Sequence, residues 1–369
     1  MKKVTIFTAN LNYGGISKSV CSLANVLCER YNVEIISVYK LTEKPVFNID
    51  DKVSIKYLIE DIKKDSNSNC LKKIINKNKL LKLENKMVTE AIKECKSNII
   101  ISTAVAFNTL LGKYGSKKSY KIGWEHNHHH LKVDNINKLV ASTKDLDKVV
   151  FVSNYLTKWY TREYKVRRMA LKAIYIPNFI DGIPPLKSKL NKNNFISVGR
   201  IYKEKGFIDL VKVFKVMHDF NNSVHLDIIG DGNEFEKVNK LIKVHKLEKA
   251  ITLHGFKDEK YVAKMYQNST IYLMTSYTES FGLTLIEAMS YGLPCIAFSS
   301  AEGAIELIEE GYNGYLINNR SIDEMARVAL GLLENKEKLS KTSAGALETA
   351  QKYGKDIVKQ QWFDLLEKK

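Results

Sequence analysis

Thr275–Phe298 reads TSYTESFGLTLIEAMSYGLPCIAF, and this is the stretch from which the fold can be inferred. The apolar run Ile271–Met274 before it is β-branched and aromatic and is followed at once by polar residues, which predicts a buried strand. Apolar residues at helical spacing come next, and Gly292 and Pro294 predict where that helix ends. The stretch therefore predicts a strand, a loop and a helix in succession.

The loop between this strand and helix has the composition of a nucleotide-sugar site. Backbone N–H groups at a helix start lack intrahelical partners and attract phosphate. The predicted phosphate cradle consists of Ser280, Phe281, Gly282 and Leu283. Carboxylates would repel phosphate, so Glu279 and Glu287, which flank the cradle, are better suited to accept hydrogen bonds from vicinal hydroxyls. Recognition of phosphate beside recognition of hydroxyls indicates a nucleotide sugar.

The segment TESFGLTLIEAMSYGLP, with its Glu279-x7-Glu287 spacing, resembles the donor-site signature of retaining GT-B glycosyltransferases of glycosyltransferase family four. The resemblance implies an α/β protein with the GT-B fold, in which two doubly wound Rossmann-like domains face each other across a cleft. It covers the second half of the chain strongly and the first half weakly. An ordinary buried strand-loop-helix unit is the competing interpretation of the segment.

Size and composition fit a protein of two domains. The 369 residues suffice for two domains of ordinary size, and a hydrophobic content of 44% supports packed cores. The N-terminus MKKVTIFTANLNYGG passes from two lysines directly into a strand pattern, so we expect no signal peptide and a cytoplasmic protein. Five cysteines at irregular spacing, without a C-x-x-C pair, fit reduced thiols better than disulfides or a zinc site.

The net charge of +17 is distributed unevenly along the chain. Residues 1–180 hold 32 Lys and Arg against 16 Asp and Glu, or +16, whereas residues 181–369 hold 26 against 25, or +1. The first half is therefore expected to meet an anionic surface or ligand. The lysine-rich residues 63–86 suit a membrane surface and a solvated helix equally well. For the aromatic and basic residues 158–172, we favour a membrane over single-stranded RNA.

Two features of the first half are predicted to face the donor. The pair Gly14-Gly15 lies between a strand and a helix, where backbone can approach a ligand closely, and the resembled family places such a loop at the donor diphosphate. The segment WEHNHHH at 124–130 follows a strand, and the resemblance implies that one histidine enters the site. His126 matches best by position and His128 next. A metal site is the alternative, although adjacent side chains on a short loop seldom converge on one ion.

Asp145-Leu146-Asp147 has the Asp-x-Asp form that metal-dependent GT-A sugar transferases use. It comes just before the strand predicted at Val149–Ser153, which favours a surface position at the strand entrance for the second aspartate. We therefore expect no essential divalent cation, and no other cofactor.

Two cations of the second half complete the predicted donor site. VGRIYKEKGF begins with the end of the strand predicted at Phe195–Val198, so Arg200 and Lys205 lie where α/β sheets bind ligands. The same segment resembles the part of the family sequence in which an arginine and a lysine clamp the donor diphosphate. Solvated surface charges would be the interpretation without that resemblance.

The domain boundaries are predicted from composition. DGIPPLKSKLNKNN at 181–194 is rich in proline and polar residues and predicts a linker. We therefore predict an N-terminal, acceptor-binding and membrane-facing domain at 1–180 and a C-terminal donor-binding domain at 195–350. Residues 351–369 resemble the terminal helix that crosses back to the first domain in GT-B folds.

The resemblance implies transfer of a hexose or N-acetylhexosamine, with retained configuration, from a nucleoside diphosphate sugar, expected to be UDP-linked. The acceptor would be a lipid-linked saccharide in bacterial surface glycan synthesis. His126, Glu279, Arg200 and Lys205 are expected to act catalytically, and Glu287 to hold ribose hydroxyls. We expect a peripheral protein on the anionic inner face of the plasma membrane, and no nucleic-acid partner. A non-catalytic α/β protein that binds a nucleotide sugar or RNA is the alternative.

Overall fold

The computed structural model describes residues 1–60, 70–127, 133–170 and 172–367. The chain divides into two compact units, each with its own parallel sheet. The first unit comprises Met1–Pro177 together with Lys359–Lys369, and the second comprises Asn178–Val358. The second unit is therefore contiguous in sequence, whereas the first is assembled from both ends of the chain.

The first unit is built on a parallel sheet that is seven-stranded in the described residues. Its strands are β1 (Lys3–Asn10), β2 (Asn32–Tyr39), β3 (Ser54–Ile59), β4 (Ile99–Ser102), β5 (Tyr120–Glu125), β6 (Lys148–Phe151) and β7 (Ala173–Tyr175). They lie in the order β3-β2-β1-β4-β5-β6-β7. The chain builds one side of the sheet from β1 and then returns past β1 to build the other. This reversal places the topological switch point of the sheet between β1 and β4.

The central strands of this sheet are buried because helices cover them; β4, for example, is buried at every residue. The helices are α1 (Gly15–Leu27), α2 (Cys70–Glu94), α3 (Val105–Tyr114), α4 (Val133–Ser142) and α5 (Asn154–Val166). One core cluster joins Val88 of α2 and Leu111 of α3 to Phe7 of β1. A second cluster joins α4 and α5 to Phe151 of β6.

The second unit repeats the same plan with a six-stranded parallel sheet. Its strands are β8 (Asn194–Val198), β9 (His225–Ile229), β10 (Ile251–Leu253), β11 (Ile271–Met274), β12 (Cys295–Phe298) and β13 (Gly314–Ile317). They lie in the order β10-β9-β8-β11-β12-β13. The switch point of this sheet is therefore between β8 and β11.

The helices of the second half alternate with these strands and then continue to the C-terminus. They are α6 (Phe207–Phe220), α7 (Phe235–Val244), α8 (Glu259–Gln267), α9 (Leu283–Ser290), α10 (Glu302–Leu307), α11 (Ile322–Glu334), α12 (Lys336–Lys352) and α13 (Lys355–Glu367). The core packs Phe214 of α6 and Met325 of α11 against Leu226 and Ile271 of the sheet. The apolar runs predicted as strands at Phe195–Val198 and Ile271–Met274 form β8 and β11, the two central strands of this sheet.

The end of α13 packs within the first unit. Trp362 is fully buried, and its ring contacts Trp124 edge to face with centroids 5.2 Å apart. The guanidinium of Arg30 lies 4.1 Å from the centre of the Phe363 ring, and it also forms an ion pair of 2.6 Å with Glu367. The last turns of the chain are therefore an integral part of the first unit.

The start and end of the second unit lie side by side. The Ile180 amide donates to the Tyr353 carbonyl at 3.0 Å, and the Lys355 amide donates to the Ile180 carbonyl at 2.8 Å. This pair of hydrogen bonds forms a parallel bridge between Ile180 and Gly354. The chain thus enters and leaves the second unit at neighbouring points.

Two of the aromatic residues in the stretch 158–172 are not available to a membrane surface. Tyr160 and Tyr164 of α5 are fully buried and belong to the core under β6, so they cannot lie at the depth of lipid headgroups. Their four-residue spacing places them together on the buried face of the helix. Lys158 and Arg162 of the same stretch are exposed. Within the described part of the chain, no helix combines the length and apolar character needed to cross a membrane.

Candidate active site

The predicted donor-binding residues of the second half converge on the switch point of its sheet. Arg200 and Lys205 follow β8, and Glu279 follows β11, which is paired directly with β8. Carboxyl ends of parallel strands lie at the same edge of a sheet, and the switch point opens a crevice there. The fold therefore brings two loops from distant parts of the sequence to one place.

Lys205 and Glu279 form a salt bridge between the ammonium Nζ and the carboxylate Oε2. Their side chains are 21% and 17% exposed, so the pair is largely shielded from water but still partly accessible. An ammonium group has three N–H donors, so Lys205 can hold Glu279 and a second anion at once. The pair unites the residue predicted to bind phosphate with the residue predicted to contact the sugar.

The two loops touch through their backbones at Gly206. The φ angle of this residue is +67°, and a Cβ atom there would lie 2.1 Å from the Thr275 carbonyl oxygen. The Thr275 hydroxyl donates to the Gly206 carbonyl at 2.9 Å, and the Tyr277 amide donates to the Glu204 carbonyl at 2.8 Å. Glycine is required here both for its left-handed conformation and for the close approach.

The predicted phosphate cradle forms the start of α9. Gly282 has φ +89° and precedes the helix, and no side chain caps the first turn. Ser280 and Phe281 are buried, and the Phe281 ring packs edge-on against Tyr353 at 5.6 Å. The cradle can therefore offer backbone N–H groups to an anion, while the Phe281 ring is used for packing.

Helix α10 supports this loop from behind. The Gly303 amide donates to the Glu279 carbonyl at 2.7 Å. A Cβ atom at Gly303 would lie 2.5 Å from the backbone carbonyl of Phe281, so only glycine allows this packing. The position of Glu279 thus depends on contacts on both sides of its loop.

Arg200 and Glu287 lie on the loop after β8 and on α9, near the carboxyl ends of the two switch-point strands. The Arg200 side chain is 53% exposed, forms an ion pair of 3.6 Å with Glu204 and stacks over Tyr202 at 5.1 Å. Glu287 is half-buried on the second turn of α9, one turn beyond Leu283. Both side chains belong to the loop and helix that follow the switch-point strands.

Arg320 is a residue of this region that sequence reasoning missed. Its guanidinium donates to the Thr275 carbonyl at 2.9 Å, to the Ser276 carbonyl at 3.0 Å and to Asp209 at 2.7 Å. Burial alone would raise the pKa of Asp209, but hydrogen bonds from Arg320 and Tyr277 lower it below its usual value. The sequence offers no signal for this role, because Arg320 and Asp209 are 111 residues apart.

The remaining predicted site residues lie in the first unit, Gly14 and Gly15 among them. These glycines follow β1 and begin α1, and a Cβ atom on either would have no other atom within 4 Å. The space over this helix start is therefore open to a ligand.

His126 follows β5 directly and is 7% exposed. Its ring lies against Trp124 with centroids 4.3 Å apart, and its Nε2 has no hydrogen-bond partner within the residues that the structure describes. Burial lowers the pKa of His126 to about 3, so the ring is neutral at physiological pH. The lysine-rich residues 63–69 and His128 to His130 lie outside the described residues.

Asp147 has a structural role at the entrance of β6. One of its carboxylate oxygens accepts a hydrogen bond from the Lys121 amide at 2.8 Å, which ties β6 to the start of β5. Over residues 1–60, 70–127, 133–170 and 172–367, no three His, Cys, Asp or Glu side chains are arranged to hold a metal ion.

Residues 182–349 match the family model described as Glycosyl transferases group 1. An uncharacterized glycosyltransferase of Haemophilus influenzae is 29% identical over 99% of this chain and 100% of its own length. The amylovoran biosynthesis glycosyltransferase AmsD of Erwinia amylovora is 26% identical, again over 99% of this chain and 100% of its own length. These similarities extend beyond the matched region to the first unit.

The solved structure of a Staphylococcus aureus TarM mutant, in complex with fondaparinux, α-GlcNAc-glycerol and UDP, superposes with a TM-score of 0.80 at 16% identity. The alignment covers 99% of this chain and 100% of TarM. The fold is GT-B. Together with the group 1 match, this fold supports a GT-B glycosyltransferase. The group 1 region contains the Lys205–Glu279 pair and α9, whereas His126 lies outside it.

Proposed function

We propose that this protein is a retaining, metal-independent hexosyltransferase of glycosyltransferase family four. It transfers a hexose or N-acetylhexosamine from a UDP-sugar to a lipid-linked saccharide in bacterial surface glycan synthesis. The observation that carries the proposal is the convergence of Arg200, Lys205, Glu279 and the start of α9 on one switch point within the group 1 region. UDP as the nucleotide is supported by its presence in the TarM complex.

We assign each part of the donor to the residues whose charge suits it. Arg200, Lys205 and the N–H groups at the start of α9 face the diphosphate, where negative charge develops as the glycosidic bond breaks. From the resemblance, we also assign Gly14 and Gly15 of the first unit to binding of the diphosphate. Glu279, held by Lys205, accepts hydrogen bonds from sugar hydroxyls.

Further along the donor, Glu287 accepts hydrogen bonds from the ribose hydroxyls. A neutral His126 serves as a hydrogen-bonding group for the sugar and carries no charge of its own.

The proposed chemistry needs no general base from the protein. The bond between the anomeric carbon and the diphosphate breaks, and a bond from that carbon to the acceptor oxygen forms on the same face. Because the new bond forms on the face that the diphosphate leaves, the anomeric configuration is retained, and the departing diphosphate takes the proton of the acceptor hydroxyl. The cations around the diphosphate lower the barrier because they stabilise the charge that this departure creates.

The acceptor side of the proposal rests on charge and on relatives. Residues 1–180 carry a net charge of +16, from 32 basic and 16 acidic residues. An anionic membrane surface attracts a segment with this positive charge. AmsD is named for the synthesis of amylovoran. We place the protein on the cytoplasmic side of the plasma membrane, peripherally bound, where a lipid-linked saccharide can reach it.

The donor site is tested with a panel of UDP- and GDP-sugars, by measuring their slow hydrolysis and their transfer to lipid-extract acceptors in excess EDTA. We expect one UDP-sugar to be consumed and Lys205→Ala to lose ~10²–10³-fold in turnover, since one transition-state cation is removed. Lys203→Ala is the matched control, because Lys203 is exposed and lies only two residues away. The anomeric proton coupling of the product reports retention.

Three results would contradict this proposal. The first is near-normal turnover by Lys205→Ala, and the second is activity that EDTA abolishes and manganese restores. The third is tight UDP binding without consumption of any donor, which would favour a non-catalytic nucleotide-sugar-binding protein.

Membrane binding is tested by sedimentation with anionic and neutral liposomes at rising salt. We expect binding to anionic liposomes that weakens steeply with salt, because surface charges are screened over about 8–10 Å at physiological ionic strength. Reversing Lys158 and Arg162 to glutamate should weaken it further, whereas reversing the exposed Lys240 and Lys243 of α7 should not. Binding that ignores lipid charge would remove the membrane from the proposal.

A further inference from the structure

We propose that Arg320 is a positioning residue that fixes the Lys205–Glu279 pair by clamping together the two loops that carry it. The inference rests on the proposed function, because it concerns the same donor site. Arg320 lies in the turn between β13 and α11, outside both loops. It therefore acts through its contacts with them.

The guanidinium group of Arg320 spans both loops. Its bonds to the Thr275 and Ser276 carbonyls hold the segment just before Glu279. Its bond to Asp209, at 2.7 Å, holds the first turn of α6, which begins two residues after Lys205. A planar guanidinium with five N–H donors can satisfy several acceptors in fixed directions, which an ammonium cannot do.

Tyr277 strengthens the connection from the other side. Its ring lies 3.6 Å from the centre of the Arg320 guanidinium, so the two groups stack. Its hydroxyl donates to Asp209 at 2.8 Å, and its amide donates to the carbonyl of Glu204. Besides the Arg320 bridge, two hydrogen bonds of Tyr277 and the Thr275–Gly206 hydrogen bond join the Glu279 loop to the Lys205 loop.

The backbone at this turn is strained, which indicates that the arginine side chain is required here. Asn319 and Arg320 have φ angles of +51° and +52°, in the left-handed region that disfavours residues with a Cβ. Such conformations persist only where the surrounding contacts hold them. Glycine would adopt this backbone without strain, yet the chain has an arginine whose side chain is only 20% exposed.

Enzyme kinetics in two backgrounds test this role. Arg320→Lys should lower kcat roughly 10- to 100-fold with little change in KM for the donor, because a small misplacement of catalytic groups costs turnover. In a Lys205→Ala background the same change should cost less than about 3-fold, since the pair that Arg320 positions is already broken. Arg327→Lys is the control, because Arg327 is 75% exposed on α11. An equal loss in both backgrounds, or no loss in the wild type, would overturn the inference.

Hydrogen–deuterium exchange gives a readout that does not need activity. Arg320→Lys and the strain-free Arg320→Gly should both exchange faster at residues 203–209 and 275–281, with α12 unchanged. Unchanged exchange in these loops, or equal acceleration in α12, would overturn the inference. If the wild type consumes no donor, the proposed function fails, and the exchange result alone decides the role of Arg320.

Discussion

Burial controls the chemistry that His126 can perform. The ordinary pKa of histidine is about 6.5, and burial against Trp124 lowers the pKa of His126 to about 3. A neutral ring can donate or accept a hydrogen bond but cannot act as an acid at physiological pH. The histidine is therefore suited to orienting a hydroxyl group.

This low pKa predicts how stability depends on pH. Below pH 6.5 His126 binds a proton in the unfolded chain but not in the folded chain, so the free energy of unfolding falls as the pH drops from about 6.5 towards 3. The slope is about 1.4 kcal/mol per pH unit, and no loss is expected above pH 6.5. In urea unfolding, the wild type should lose roughly 2–3 kcal/mol more than His126→Gln between pH 7 and 4.5. His245→Gln, at the end of α7, should behave like the wild type.

Helix α10 is short, but it determines where the Glu279 loop lies. Its second residue, Gly303, packs without a side chain against the Phe281 carbonyl and donates to the carbonyl of Glu279. A methyl group at this position cannot be accommodated unless the loop moves. A helix that contains none of the predicted donor-site residues is thus coupled to that site.

Gly303→Ala should therefore lower turnover at least tenfold and destabilise the second unit by about 1–3 kcal/mol, because the added Cβ overlaps backbone. Gly331→Ala in α11 is the matched control, since no atom lies within 4 Å of its added Cβ. That change should stabilise the protein by roughly 0.5–1 kcal/mol and leave turnover unchanged. Steady-state kinetics and thermal unfolding of both variants provide the measurement. Equal turnover in the two variants would contradict the supporting role of α10.

Several strands could be predicted from sequence because they are short, apolar runs followed by polar residues. Ile271–Met274 forms a strand with the predicted bounds, and the strand predicted at Phe195–Val198 begins one residue earlier, at Asn194. Composition alone does not show which aromatic residues of α5 are exposed. Tyr160 and Tyr164 alternate with cations in sequence but lie on the opposite face of the helix. Period, more than composition, decides which side chains reach the surface.

At the scale of the whole molecule, the last turns of α13 supply part of the core of the first unit. Trp362 is fully buried against Trp124 in the first unit, although it is more than 230 residues away along the chain. The sequence predicts a terminal helix here only through the resemblance, because the packing partners of the helix lie far away along the chain. The same limit explains why Arg320 was missed, since the contacts that define its role are all long-range.

Trp362→Ala should cost about 3–5 kcal/mol of stability, as large-to-small changes in a core do. The loss should appear in the first unit, which native-state hydrogen exchange can localise through faster exchange of β5 and unchanged exchange of β12. Ile357→Ala is the control on the same helix, because Ile357 is 52% exposed and should change stability by less than about 0.5 kcal/mol. If exchange in β12 became faster to the same extent as in β5, the assignment of Trp362 to the core of the first unit would be contradicted.

The bridge between Ile180 and Gly354 has a practical consequence for engineering. Because the second unit is contiguous and its two ends are adjacent, it has the topology of an inserted domain, which host proteins tolerate at such sites. Residues 178–358 could therefore be exchanged for the corresponding segment of a relative with two neighbouring junctions. Under the proposed function, a chimera of this kind would acquire a new donor-binding unit and keep its own first unit. Transplanting the first unit would instead require two separate segments, and leaving out the last would remove Trp362 from its core.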